Sequence, residues 1–273
     1  MAKLKQKLAL MKGLLSGDIA YNSPFYVTID VTRRCNLSCL CCRCHSPLIT
    51  VPTPGDHTIQ DISVEFFARV CHELKQSGTE LIILESEGEP FLHPQLFELI
   101  TIAKRQGLRV ILFTNGTLLA EHNIQQLIEL RLDTLMVSLW ALTRADYEKT
   151  HPGTDPLLFD QIIHHLQQLA ELKRKQQIPF PRVEVCLPLN KYNFKQIDST
   201  VEVAAKSNCN ELHFTKLDTI RDNFAKFSLS ADDERFLRSA FTEIGRKLKV
   251  LGVSHNIKNI IRQYRVEESA WRR

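Results

Sequence analysis

No apolar run in the sequence approaches the roughly 20 residues that a membrane-spanning helix needs, so no segment reads as a span. No secretory leader is recognisable, and the 8 cysteines therefore read as thiols of a reducing cytoplasm. Charge of one sign is scarce. Lys+Arg 35 against Asp+Glu 31 leaves a formal net charge of +4, too mild to argue for a nucleic-acid partner, and there is no arginine-rich or aromatic-interleaved tract to sharpen it. What is present is an ordinary globular composition, 44% hydrophobic and 24% charged over 273 residues, enough for one α/β domain with small additions.

The cysteines are unevenly spread. Cys35, Cys39, Cys41, Cys42 and Cys44 crowd one short stretch, directly after an apolar run at 25–31 and the pair Arg33-Arg34. A buried structural thiol usually stands alone, as Cys71, Cys186 and Cys209 do within apolar runs. Disulfides fit poorly without a secretory signal. A zinc site is open, since Cys39 and Cys42, or Cys41 and Cys44, have C-x2-C spacing and His45 follows, but structural zinc wants a second knuckle and none follows downstream. A third reading takes Cys35, Cys39 and Cys42 as C-x3-C-x2-C. Three protein ligands leave one iron of a cubane open, whereas an electron-transfer cluster normally takes four cysteines.

The stretch, read as CNLSCLCC, resembles the cluster motif of the radical S-adenosylmethionine (radical SAM) enzymes. The resemblance implies a [4Fe-4S] cluster on Cys35, Cys39 and Cys42, with the amino-acid end of SAM on the fourth iron and cleavage of SAM to a 5′-deoxyadenosyl radical. Cys41 departs from the family, which often has an aromatic residue or methionine there beside the adenine, and Cys44 adds another competing thiol.

Around this loop the chain alternates. Residues 3–15 read as a helix with Leu4, Leu8, Met11 and Leu15 on one stripe and lysines elsewhere. The expectation is that these leucines dock on the domain, an anionic membrane surface being the other reading. The proline-bearing stretch 47–61 reads as a loop. Ser63 predicts an N-cap and Gly78 a C-terminal stop for the next helix. Strand-like runs at 81–84, 108–113, 132–139, 183–187 and 211–215 are separated by helical patterns, one led by Pro94, one over 119–130, and one started by Asp155-Pro156. Ser230 and Asp233 predict a capping pair for a helix bearing Leu237, Phe241, Ile244 and Leu248, and 250–253 a last short strand.

Continuously apolar strands between amphipathic helices mean a parallel sheet covered by helices. Periodicity alone leaves a flavodoxin-like open sheet as an equal reading. The resemblance implies a partial (β/α)6 TIM-like barrel of the radical SAM type, with short helical additions: a helix at 1–22, the core barrel at 23–220 and a helical extension at 221–273.

In parallel α/β folds the chemistry sits where strands end. After the second strand comes Glu85-Ser86-Glu87-Gly88-Glu89-Pro90, whose crowded carboxylates repel unless a cation binds among them. It resembles the family's GGEP motif, which implies that Gly88 and Glu89 hold the SAM ammonium, although Glu87 replaces the first glycine. The third strand ends in Thr114-Asn115-Gly116 and the fourth in Ser138-Leu139-Trp140. By resemblance, Asn115 and Ser138 position the ribose and carboxylate of SAM, and Asn190, after the fifth strand, adds a polar contact. His151 is a packing residue or a substrate-facing acid or base.

No cysteine follows Cys209, so an auxiliary cluster of the SPASM type finds no ligands, and peptide modification is less expected than chemistry on a small molecule. The resemblance also implies an external one-electron donor such as a flavodoxin or ferredoxin. The competing class is a non-catalytic iron–sulfur or zinc-binding scaffold derived from such an enzyme.

Overall fold

A computed structural model of the chain describes residues 2–49, 61–217 and 222–270. Its elements follow in order: α1 Ala2–Ser16, β1 Tyr26–Asp30, α2 Val64–Ser77, β2 Leu81–Glu85, α3 Leu96–Arg105, β3 Arg109–Thr114, α4 Glu121–Glu129, β4 Thr134–Ser138, α5 Arg144–Thr150, α6 Leu158–Gln176, β5 Arg182–Leu189, α7 Thr200–Ser207, β6 Glu211–Lys216, α8 Ala231–Val250, β7 Ser254–His255 and α9 Ile257–Ala270. The strands pair in parallel and strictly in chain order. Each crossover returns the chain beside the strand it left, which winds the sheet into a partial barrel with helices outside.

Side chains alternate across a strand. Ile82, Leu84, Val110, Leu112, Leu135, Val137, Val183, Val185, Leu212 and Phe214 are fully buried against the helical layer. The intervening residues face the inside of the barrel, where Glu85, Phe113, Ser138 and Glu184 stay partly open and Asp30 is exposed. One continuous apolar core therefore lies between sheet and helices, and the polar strand ends are left to the mouth.

Local signals explain most boundaries. Ser63 Oγ accepts from the amide of Phe66 at the start of α2, and Gly78 ends it in the left-handed region at φ 99°, where a side chain is disfavoured. Ser230 and Asp233 cap α8 reciprocally. Three expectations need correction. Asp155-Pro156 does not begin α6: Asp155 Oδ1 instead accepts from the Leu157 amide in a preceding turn, and the helix starts at Leu158. The last strand is Ser254–His255, not 250–253, because the stripe Leu237, Phe241, Ile244 and Leu248 keeps α8 helical through Val250. Finally, α1 does not dock the described part of its stripe, since Leu8, Met11 and Leu15 are all exposed; the Leu4 side chain lies outside the described residues.

The C-terminal stretch belongs to the same core. Asn256 brackets β6 by accepting from the amide of Phe214 and donating to its carbonyl, both at 2.8 Å, and the Phe214 ring meets Phe241 of α8. The 47–61 loop, apart from its ends, and the 220/221 boundary fall outside the described residues.

Candidate active site

The chain leaving β1 is zipped to the chain leaving β2. The Val31 and Thr32 amides donate to Ser86 Oγ at 3.2 Å each, Gly88 donates to Thr32 O at 3.2 Å, and Glu89 donates to Arg34 O at 2.7 Å. A Cβ on Gly88 would stand 2.0 Å from Arg34 O, a distance no side chain tolerates, so the close approach requires glycine. Glu87, in place of a glycine, turns its carboxylate onto Arg33 Nε at 2.7 Å. Arg34 is held in turn by Asp61 at 2.8 Å and by Leu92 O. These contacts deliver Cys35 beside Glu89.

Glu89 is 1% exposed. Its carboxylate accepts from Thr114 Oγ1 and the Asn115 amide, both at 2.7 Å, and from the Phe91 amide at 3.2 Å. Burial outweighs these donors and pushes the carboxyl up to about 7. The residue thus pins the β2 loop to the end of β3, and a cation arriving there would favour its ionised form. Asn115 is likewise committed: Nδ2 donates to Asn36 Oδ1 at 3.0 Å, and Oδ1 accepts from the amide and hydroxyl of Thr117. Asn36 completes the ring by donating to Thr117 Oγ1 at 2.8 Å. The cysteine loop is tied to two strand ends.

Within that loop the thiols differ. Burial pushes Cys35 and Cys39 up, so their thiolates need a cation that desolvation cannot replace. Cys42 is held down at about 6 by hydrogen bonding from the Cys44 thiol and from the amides of Cys44 and His45, and Cys44 is pushed up as the donor. Cys41 is buried with Phe224 and Phe227 in a small separate apolar cluster that also takes in Leu40, Leu48 and Trp140. Leu40 is fixed from outside, its amide donating to Thr150 O at 2.8 Å at the end of α5.

A cavity of about 480 Å³ lies at the mouth, and Cys35, Cys39, Cys42, Gly88, Glu89, Asn115 and Ser138 all line it. A volume of that size suits a nucleotide-sized ligand. Asn190 is not among the lining residues. It is fully buried, with Nδ2 on Pro188 O at 3.0 Å and Oδ1 on the Tyr192 amide at 2.9 Å, so it shapes the turn after β5. Asn193, beside it, donates to Trp140 O at 3.0 Å and supports Trp140, whose φ is 59°. His151 also stays away from the cavity, stacked on Tyr147 at 3.9 Å, and burial holds its imidazole down at about 4. Sequence reasoning missed Asn36, Ser86 and Thr117. Their positions beside motif residues were visible, but their partners lie tens of residues away.

A parallel partial barrel whose first strand feeds a thiol-rich loop onto a cavity at the strand ends defines a class of α/β proteins built for strand-end chemistry. The profile described as the Radical SAM superfamily matches residues 29–173, more than half of the chain, and the protein belongs to that family. It is 28% identical over 232 residues to the AdoMet-dependent heme synthase of Methanosarcina barkeri, covering 84% of this chain and 61% of that one. It is 29% identical to the PqqA peptide cyclase of Gluconobacter oxydans, covering 46% and 33%. Its fold matches Streptococcus suis SuiB bound to S-adenosylmethionine with a TM-score of 0.69 at 14% identity, covering 92% of this chain and 53% of that one. The chain thus spans about three fifths of the heme synthase and about half of SuiB.

Proposed function

We propose that Cys35, Cys39 and Cys42 bind a [4Fe-4S] cluster, that SAM occupies the cavity above β1–β4, and that the pair performs radical hydrogen abstraction on a substrate at the barrel mouth. The observation that carries this is the meeting of the three thiols with Gly88, Glu89, Asn115 and Ser138 around one cavity. Held by the three thiolates, the cluster would leave one iron open to SAM and would supply the electron for reductive SAM cleavage. The chain's own residues do the positioning. Gly88 lets the β2 loop close on the cysteine loop, Glu89 offers a buried carboxylate to the SAM ammonium, and Ser138 presents a hydroxyl from β4. Asn115 contributes its backbone edge, because its side chain is spent on Asn36 and Thr117. Asn190 acts through the turn it builds.

All eight cysteines are free, which supports a reducing, cytoplasmic setting and electron supply from a donor of the flavodoxin or ferredoxin kind. The scaffold reading has one observation in its favour: His45 Nε2 is buried with no hydrogen-bond partner. Among the described residues, however, no three His, Cys, Asp or Glu side chains converge as ligands of a single ion, as zinc requires. A cubane asks for less, since each thiolate meets its own iron.

Anaerobic reconstitution followed by iron, sulfide and zinc analysis tests the proposal, with electron paramagnetic resonance of the reduced protein before and after SAM. Iron at about four per chain, a signal that shifts with SAM and release of 5′-deoxyadenosine are expected. Zinc alone, or a cluster indifferent to SAM, refutes it in favour of the scaffold.

A further inference from the structure

Five large apolar side chains of α1 stand open: Leu8 57%, Leu10 37%, Met11 58%, Leu14 76% and Leu15 86% exposed. In the segment after it, Ile19 and Tyr21 are 52% and 41% exposed and Phe25 is 56% exposed. A monomer in water seldom leaves so contiguous an apolar patch uncovered, and such a patch marks an interaction surface. Among the described residues, α1 has no extended packing against the barrel's helices. Its last turn folds back on its own exit instead: Gly17 donates to Gly13 O at 3.0 Å, and Ser16 Oγ donates to Ile19 O at 3.2 Å. Lys12 lies over the Tyr21 ring at 4.1 Å.

The charge on this element has one sign. Between Ala2 and Ser16 the sequence carries Lys3, Lys5, Lys7 and Lys12 and no acidic residue. At helical spacing Leu4, Leu8, Met11 and Leu15 share one stripe, with Lys5 and Lys12 at positions along one border, while Leu10 and Leu14 extend the apolar surface on the other side past the positions of Lys3 and Lys7. A broad apolar surface with lysines along it and among its positions is suited to a plane that is apolar below and anionic above, because lysine stems bury while their ammonium groups reach out. Tyr21 and Phe25 add aromatic rings of the kind that favour the same boundary. Self-association is poorly matched, since a second copy would double the four lysines with only Asp18, in the turn after the helix, to meet them.

We propose that α1 and the turn after it dock the protein on an anionic membrane surface, with the leucine stripe at the headgroup boundary and the lysines on lipid phosphates. No helix among the described residues is long and apolar enough to cross a membrane, so the attachment is interfacial. The exit segment reaches the base of the sheet, where Thr79 Oγ1 donates to Pro24 O at 3.1 Å just before β2. The apolar face therefore connects at the strand starts, at the opposite end of the sheet from the thiols.

Sedimentation of the full chain with vesicles tests this, using phosphatidylcholine alone and phosphatidylcholine mixed with phosphatidylglycerol. Binding to the mixed vesicles only, weakening with added salt, is expected. Replacing Lys3, Lys5, Lys7 and Lys12 by glutamine should weaken it about fivefold per lysine. The double variant Leu8→Ser, Leu15→Ser should lose binding while keeping the wild-type circular dichroism spectrum, because both side chains are already in water. Absence of vesicle binding, equal binding to both vesicle types, or variants that bind as wild type overturn the proposal. So does a wild-type dimer that ignores vesicles and that the leucine substitutions convert to monomer.

Discussion

Glu89 is a buried acid whose ionisation the fold opposes, and stability should show it. Burial raises its carboxyl from 4.5 to about 7 despite three hydrogen bonds. The folded state holds the proton more tightly than the unfolded chain, so this group's contribution is complete below about 4.5 and is lost as pH rises through about 7. At about 1.4 kcal/mol per pH unit the whole loss is roughly 3 kcal/mol, of which about 2 to 3 falls between about pH 5 and pH 8. Glu89→Gln keeps a carbonyl acceptor for the Asn115 amide, turns its NH2 group toward the Thr114 hydroxyl, which can accept, and cannot ionise. Urea denaturation of the apo-protein and this variant in parallel, across that range, isolates the term because the other titrating groups cancel. Wild type should lose stability relative to the variant as pH rises. Parallel curves would refute the reasoning and mean that the three donors, not desolvation, dominate. SAM should reverse the trend: an ammonium beside the carboxylate favours the ion, so SAM affinity should strengthen as pH rises through about 7 in wild type and stay flat in Glu89→Gln.

Further tests follow from individual contacts. Gly88→Ala places a methyl 2.0 Å from Arg34 O, so about 3 kcal/mol or more of stability should go, along with iron uptake; an alanine variant with wild-type denaturation midpoint and iron content refutes the close approach. Cys35→Ser, Cys39→Ser and Cys42→Ser should each abolish the reconstituted cluster, whereas Cys41→Ser and Cys44→Ser should retain iron at about four per chain; iron analysis that ranks Cys41 or Cys44 with the essential thiols overturns the ligand set. His151 is held neutral down to about 4, so its imidazole proton signals should not move between about pH 5 and pH 8. A midpoint near the ordinary histidine value would show that it is not buried against Tyr147.

Some of this was legible without the fold. Strands and helices announce themselves through periods of 2 and 3.6, and caps such as Ser63 and Gly78 act within a turn of themselves, so their neighbours suffice to place them. The C-x3-C-x2-C spacing is equally local, as are Gly88-Glu89-Pro90 and Thr114-Asn115-Gly116, and chain order alone puts them at successive strand ends. Misreadings came where a local signal met a stronger neighbour. Asp155-Pro156 resembles a helix start but closes a turn first, and Val250 has strand propensity but follows a helix whose stripe is still packed.

What the sequence determined by itself was therefore the alternating α/β order, the candidate ligands and the strand ends on which they sit, because each is written in spacing along the chain. Tertiary structure decided which partners those residues take. Asn115 and Asn36 are 79 residues apart, and Gly88 meets Arg34 only when β1 and β2 lie side by side, so neither contact has a local signature. The same holds for Asn190, drawn into its own turn, and for Glu89, whose pKa depends on burial by three separate strand ends. A leucine stripe reads alike whether it meets a core or water, and only packing shows that the one on α1 was left open.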